Sequence, residues 1–353
     1  MFRIERKTNP SHASLQKIIS TVVAILVAGI FIGLCGYNPF VVYREMLIGS
    51  LGTPYNLGQT VQEMLPLITM GLGVAVCFKM NFINIGAEGQ FCMGAVGATA
   101  VALFAQQLPI PVAIIAMFVA AFVCGGLWCM IAGVLKARWK VSETLVTLML
   151  TYVALKLVSY LQYVKWKDPK SFGFPKIANY PEVLQFPTVF GIHCGWIIVL
   201  ALVILVYILL TRTKLGYEIS VMGDSVATAK YAGINTGATL LIASLLGGGI
   251  CGLAGLIQAA GVEHTLNDSM SGGMGYTAIV IAYMANMNPF TIVLVSFLFS
   301  ILLQGGAYMQ ISMQIPAATG TVVQGVILLF VLGSEFFTTY RIVRVAKNGG
   351  EKA

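Results

Sequence analysis

Polar breaks interrupt a mostly apolar chain at spacings that suit membrane-crossing helices. Apolar runs cover residues 18–35, about 57–78, about 142–163, a stretch ending at Thr211, about 238–260, about 290–304 and 317–334. A helix needs about 20 apolar residues to cross a bilayer. No charged residue occurs between Glu88 and Lys136. That interval holds two helices, divided at Gln106-Gln107-Leu108-Pro109-Ile110-Pro111. A shorter span opens at Gly272-Gly273-Met274-Gly275-Tyr276 and ends near Met287, where Asn288-Pro289 turns the chain. The pattern predicts an all-α, multi-pass membrane protein. It has ten spans in one domain (1–353), with a membrane core over 17–337 and a tail over 338–353. Merging or splitting the glycine-rich segments changes the count by one or two. Two halves of five spans suggest an inverted repeat, with the Gly86/Gly89 and Gly272/Gly275 segments as its only counterparts.

Between the spans, Val41 to Leu47 reads as a short amphipathic helix on the outer surface. Residues 164–192, with Pro169, Gly173, Pro175, Pro181 and Pro187, read as a polar outer loop. The longest polar break of the second half is the connection at 212–238. Its centre predicts one short helix. Asp224 or Ser225 caps the start, Ala227 and Ala229 favour the helical state, and Gly233 supplies the left-handed residue that ends it. So short a helix is marginal alone in water. It is either a solvated turn or a lever docked on a partner.

Composition fits this reading. The 353 residues are 58% hydrophobic and 10% charged, against roughly 25% charged in soluble domains. The net charge of +8 raises nucleic acid as a partner, but the basic residues sit at span ends and no aromatic-basic patch accompanies them. Arg3, Arg6, Lys7, Lys17, Lys79, Lys136, Arg138, Lys140, Arg212, Lys214, Lys230, Arg341, Arg344, Lys347 and Lys352 fall inside. Only Arg44, Lys165, Lys167, Lys170 and Lys176 fall outside, so the charge rule puts both termini in the cytoplasm. The first run is long for a signal peptide and lacks a cleavage pattern, so it reads as an uncleaved helix. The seven cysteines mostly lie in apolar runs, with no zinc or redox spacing. The three histidines are scattered. No metal site, cofactor or catalytic residue is expected.

Polar groups inside apolar runs are the candidates for chemistry, because an ionisable group in lipid is costly. Asn84, Glu88 and Gln90 lie at the mouth of the third span and either border a solute pathway or clamp this helix to a neighbour. Gln258 is a buried amide, as helix glue or pocket. Tyr276 stacks on a ring or packs in the core. Glu143 reads as a first-turn acid favoured by the helix dipole. Lys156 lies within snorkelling reach of the outer surface. Glu63 sits near the outer end of its span.

Several stretches carry a family resemblance. Arg212-Thr213 with Gly216, Ile219 and Gly223, followed by Ala229-Lys230-Tyr231-Ala232-Gly233-Ile234-Asn235, resembles the coupling loop of bacterial ABC importer permeases. The branch serves ribose-type sugars, branched-chain amino acids and nucleosides. Asn84-Ile85-Gly86-Ala87-Glu88-Gly89-Gln90 is similar to another of its motifs. Ser142-Glu143-Thr144-Leu145-Val146-Thr147-Leu148-Met149-Leu150-Thr151-Tyr152 is similar to a third, with Ser142 and Thr151 where the branch has asparagine. Gly272 to Ala282 with Asn288-Pro289 resembles a fourth motif of the branch, and Met309-Gln310, Pro316 and 323–330 look most like its nucleoside permeases.

The resemblance implies a nucleoside permease in a bacterial cytoplasmic membrane, with sugar or branched-chain amino-acid transport as the alternative. It implies a separate ATPase subunit that binds the ATP, a second permease, alike or different, and an extracytoplasmic binding lipoprotein or periplasmic protein. Asn84, Glu88, Gln90, Thr144, Thr147, Gln258 and Tyr276 would border the solute pathway. Gly223, Asp224, Ser225, Ala229, Tyr231, Ala232, Gly233 and Ile234 would couple to the ATPase. No Gly-x-x-x-x-Gly-Lys-Ser/Thr loop occurs in the chain. An ion-coupled secondary transporter is the rival class. It needs intramembrane charges, and few exist beyond Glu63, Glu88 and Lys156.

Overall fold

The computed structural model describes residues 2–6, 13–105, 107–171, 173–189, 191–316 and 340–344, with isolated positions between 319 and 329. Twelve α-helices and four short strands are described. Seven helices are long and apolar enough to cross a membrane, or eight if one bent pair counts as a span. The expected ten spans agree with this in outline. Most of the expected tenth, 317–334, lies outside the described residues.

The chain forms two compact units, 54–300 and the two ends together (1–53 with 301–353). In the end unit, strand β1 (Phe2–Arg6) pairs antiparallel with β4 (Tyr340–Arg344). Helix α1 (Ala13–Leu34) meets α2 (Pro39–Leu51) at a bend of 115°. Asn38 caps α2 by accepting from the Phe40 N–H at 3.0 Å. Val42 and Met46 of α2 are buried with Ala28, Ile32 and Met309. The Tyr43 hydroxyl donates to the Ile25 carbonyl. The helix is thus longer than the seven residues expected. Its other side is also apolar, with Phe40, Val41 and Leu47 exposed.

The larger unit is built around α10 (Thr236–Gln258), which packs on α3 (Pro54–Lys79), α4 (Ala87–Phe104) and α5 (Ile110–Trp139). Of its most apolar window 78% is buried, against 28% for α7 (Gly195–Arg212). Its small residues explain the difference. In lipid, helices associate through close packing, and small side chains let backbones touch. A Cβ on Gly252 would run into the Ala121 carbonyl, and one on Gly94 into the Gly252 backbone. Three helices therefore meet at Gly252 with no room for a methyl group.

Helix α6 (Glu143–Tyr160) continues as a π turn over Leu161–Lys165, and α10 as another over Ala259–Glu263. These extensions carry a folded cap. Instead of a loose loop, 164–193 buries Ile177, Tyr180, Leu184, Phe186 and His193. The Tyr180 N–H donates to the His264 carbonyl at 2.8 Å, and the Phe186 N–H to the Ala260 carbonyl at 3.0 Å. The Tyr180 and Thr99 hydroxyls bond at 2.6 Å. A two-stranded hairpin, β2 (Thr188–Val189) and β3 (Ile192–His193), closes the cap. Neither His193 ring nitrogen has a hydrogen-bond partner among the described residues. Burial, with His264 nearby, pushes the His193 pKa down to about 4 from 6.5.

The short helix expected at the centre of 212–238 is α9 (Val226–Tyr231), and a further helix, α8 (Lys214–Asp224), precedes it. The eighth expected span is an 11-residue helix, α11 (Met274–Met284), about 16 Å long and too short to cross alone. The ninth extends further than expected, as α12 (Pro289–Met313), and contributes to both units.

Two outcomes test this packing. Gly252→Leu should destabilise the detergent-solubilised protein by about 1–3 kcal/mol through overpacking. Gly306→Leu on α12, where a Cβ meets nothing within 4 Å, should leave the melting temperature nearly unchanged. An unfolded chain accepts a proton on His193 that the folded chain resists. Stability should therefore fall as pH drops from 6.5 towards about 4. His193→Phe should remove part of that loss in melts recorded across this pH range.

Candidate functional site

The Glu88 carboxylate sits in the first turn of α4, only 3% exposed. It accepts the Gly273 N–H at 2.9 Å and the Gly275 N–H at 2.5 Å. Those donors open α11. A helix N-terminus leaves backbone N–H groups unpaired and carries partial positive charge, so a buried carboxylate there is well matched. Gly273 reaches this position with φ of +81°, which glycine adopts without steric cost. A Cβ on Gly275 would strike the Glu88 backbone. The two glycine-interrupted segments singled out in the sequence therefore meet, with Glu88 between them.

Asn84 and Gln90 join each other. Each side-chain amide donates to the other's carbonyl, at 3.0 and 2.9 Å. Asn84 Oδ1 also accepts the Gly86 N–H at 2.9 Å. Both residues are buried. The Thr147 hydroxyl accepts the Ile85 N–H at 3.2 Å and donates to the Glu143 carbonyl at 2.8 Å. The Thr144 hydroxyl points to the Ile83 carbonyl at 3.4 Å. Gly86 and Gly89 face Thr147 and Thr151 across α4 and α6, too close for a Cβ. Asn84, Glu88, Gln90 and Thr147 thus spend their polar atoms on the protein's own backbone and on each other.

Gln258 is buried where α10 passes into its π turn. Tyr276, in the first turn of α11, keeps 39% of its surface exposed. Glu143 does more than favour the dipole of its own helix. It pairs with Lys136 Nζ at 2.6 Å and accepts the Ile83 N–H at 3.3 Å. The Lys136 ammonium also reaches the Asn81 carbonyl at 3.4 Å. The sequence offered no sign of this pairing beyond the basic cluster that precedes Glu143.

The 212–238 segment sits at this same end. Gly223 lies against the Lys79 carbonyl, leaving no space for a Cβ. Thr213 caps α8 by accepting the Gly216 N–H at 3.1 Å. The Thr239 hydroxyl donates to Glu218 at 2.8 Å and ties α8 to α10. Ser225 caps α9, accepting the Thr228 N–H at 3.2 Å. Asp224 ends α8 and takes no part in that cap. Gly233 follows α9 with φ of +75°, and the Ile234 N–H closes on the Ala229 carbonyl at 3.0 Å.

Ala229 is fully buried and anchors α9 to its own chain. The open side carries Val226, Lys230, Ala232 and Tyr231, which is 95% exposed. The expectation that Ala229 meets the ATPase fails on this burial, because a six-residue helix shows too little periodicity to reveal its inner face.

The family described as branched-chain amino acid transport system / permease component matches residues 56–332. The glucose ABC transporter permease protein TsgB13 of Haloferax volcanii is 31% identical over 354 aligned positions, 96% of this chain and 92% of that one. The guanosine ABC transporter permease protein NupP of Bacillus subtilis is 27% identical, covering 91% of this chain and 93% of its own. The nucleoside ABC transporter permease protein NupB of Lactococcus lactis subsp. cremoris is also 27% identical, covering 92% of each. The matched stretch includes the Glu88 clamp, the 212–238 connection and α10 with its helical neighbours, and this membrane-spanning chain belongs to the family of permease components of branched-chain amino acid transport systems.

Proposed function

We propose that the chain forms a translocation pathway for nucleosides in an importer driven by a separate ATP-binding cassette subunit. The carrying observation is the geometry of α8 and α9. Their base is pinned to α3 and α10 through Gly223 and Glu218, while Tyr231 projects almost wholly exposed from a capped helix. A rigid base with an exposed aromatic tip suits docking on a partner. The nucleoside and guanosine permeases among the relatives support the substrate. The glucose permease, at 31% identity, favours simple sugars as the second reading.

In this reading the basic end that carries α8 and α9 faces the cytoplasm, and the folded cap faces outward towards a solute-delivering binding protein. Pairing of β1 with β4 brings the two chain ends together, which supports termini on one side. A second permease subunit completes the pathway. The chain carries out no catalysis. Asn84, Glu88, Gln90 and Thr147 hold the wall in shape, and solute meets more exposed positions.

Uptake of labelled uridine and glucose, by cells producing this permease with its ATPase and binding protein, tests the proposal. Uridine uptake should require ATP and stop when Tyr231→Ala or Val226→Asp is introduced. Both variants should reach the membrane at normal levels, and ATPase recovery on pull-down should fall about tenfold or more. Full association and uptake in both would make α9 an ordinary turn. Uptake that survives ATP depletion under an ion gradient would favour the secondary transporter.

Glu88→Ala should lower the stability of the purified chain by about 1–3 kcal/mol, because the buried Gly275 N–H and the partly buried Gly273 N–H lose their acceptor. Transport should then fall only in step with the folded protein recovered. Normal stability with selective loss of transport would instead place Glu88 in the pathway.

A further inference from the structure

We propose that the exposed face of α6 carrying Tyr152, Lys156 and Tyr160, with Asp268 beside it, binds the transported solute through vicinal hydroxyl groups on a ring. The inference rests on the permease reading and says where in the chain the solute is held.

Helix α6 with its π turn is an apolar segment of 23 residues, yet only 22% of its most apolar window is buried. Its inward positions are Thr147, Thr151, Ala154 and Val158, at helical spacing. The opposite side carries Tyr152, Lys156 and Tyr160, four residues apart and all exposed. Residues four apart stack along one face. Lys156 makes no ion pair among the described residues.

Lipid is a poor environment for this stripe. Lys156 lies about 20 Å from the Glu143 end of the segment and about 13 Å from the Lys165 end, at 1.5 Å per residue. Side chains on a helix lean towards its N-terminus. Lys156 therefore leans away from the nearer end, against the direction in which it would have to snorkel. Charged side chains in spans almost always face protein or a watery cavity. In the proposed site this face borders the watery cavity.

Its chemistry is specific. The Lys156 ammonium brings three donors and no acceptor. One turn further on, Ser159 Oγ lies 3.5 Å from Asp268 Oδ2. The Asp268 N–H donates to Gln162 Oε1 at 2.8 Å, which fixes the residue against the π turn. The carboxylate accepts hydrogen bonds from hydroxyl groups, and the ammonium donates to ring and hydroxyl oxygens. Tyr152 and Tyr160 offer flat apolar faces for a ring. One cation and one anion suit a neutral solute, and vicinal hydroxyls occur on both a ribose and a hexose.

The test uses the full chain in membrane vesicles washed free of binding protein. Val153→Cys, exposed beside Tyr152 and Lys156, in a background with the native cysteines replaced, is treated with a hydrophilic or a lipid-soluble thiol reagent. The hydrophilic reagent should react at position 153. Uridine should slow that reaction about tenfold, while 2′,3′-dideoxyuridine should not. Protection by glucose instead would identify the sugar as the source of the hydroxyls. Met149→Cys, exposed one turn earlier, should behave alike and serves if the first variant does not fold.

In the otherwise native transporter, Lys156→Met should cut the uptake rate about tenfold or more, and Lys156→Arg should keep most of it. Reaction with the lipid-soluble reagent alone, equal protection by the dideoxy compound, no protection by either solute, or unchanged uptake in Lys156→Met would overturn the inference. Wild-type cells that take up neither uridine nor glucose would instead sink the transport reading, and labelling would still decide whether the face is wet.

Discussion

Close approach of backbones at α10 is the constraint on which the larger unit depends. Lipid tails are as apolar as leucine, so burying apolar side chains does little to bring helices together. Contact has to come from packing density. Gly94, Gly125 and Gly252 let α4, α5 and α10 meet at distances that a single methyl group would forbid. Once α10 is set among its neighbours, its start lies beside α8 and its π turn lies under the cap.

A second constraint follows from the short helix α11. It opens partly buried inside the unit, where its free N–H groups need acceptors from the protein. Glu88 takes two of them, and the conformations of Gly272 and Gly273 turn the chain into position. The Asn84–Gln90 pair and the Thr147 hydroxyl do similar work where α4 begins. Asn84, Glu88, Gln90 and Thr147 are thus committed to backbone and to each other. The open chemistry lies on the far face of α6, where Lys156 has no described ionic partner.

The two ends of the larger unit are built differently. At the basic end, Lys136 and Glu143 join α5 to α6, and α8 rests on α3. An ion pair, side-chain hydrogen bonds and close backbone approach hold this end, and Tyr231 projects from it. At the other end a folded cap is sewn to Ala260 and His264 by backbone hydrogen bonds and to Thr99 of α4 by the buried Tyr180 hydroxyl. In the proposed importer, the first arrangement suits a partner that pushes and the second a partner that delivers.

Whatever depended on neighbours along the chain was readable in the sequence. Apolar run length announced membrane spans, because hydrocarbon thickness sets it. Ser225 and Gly233 announced the ends of α9, because capping and left-handed backbone are local chemistry. Three features needed the tertiary structure. Residues 164–193 looked like a polar loop because their burial comes from a segment some 80 residues away. Ala229 looked outward because nothing local says which side of six residues meets α10 and its surroundings. Glu88 was ambiguous between pathway and clamp because its acceptor role is completed by Gly273, 185 residues further on. A carboxylate declares its cost in lipid by itself, but the N–H groups that offset that cost are brought to it only by the fold.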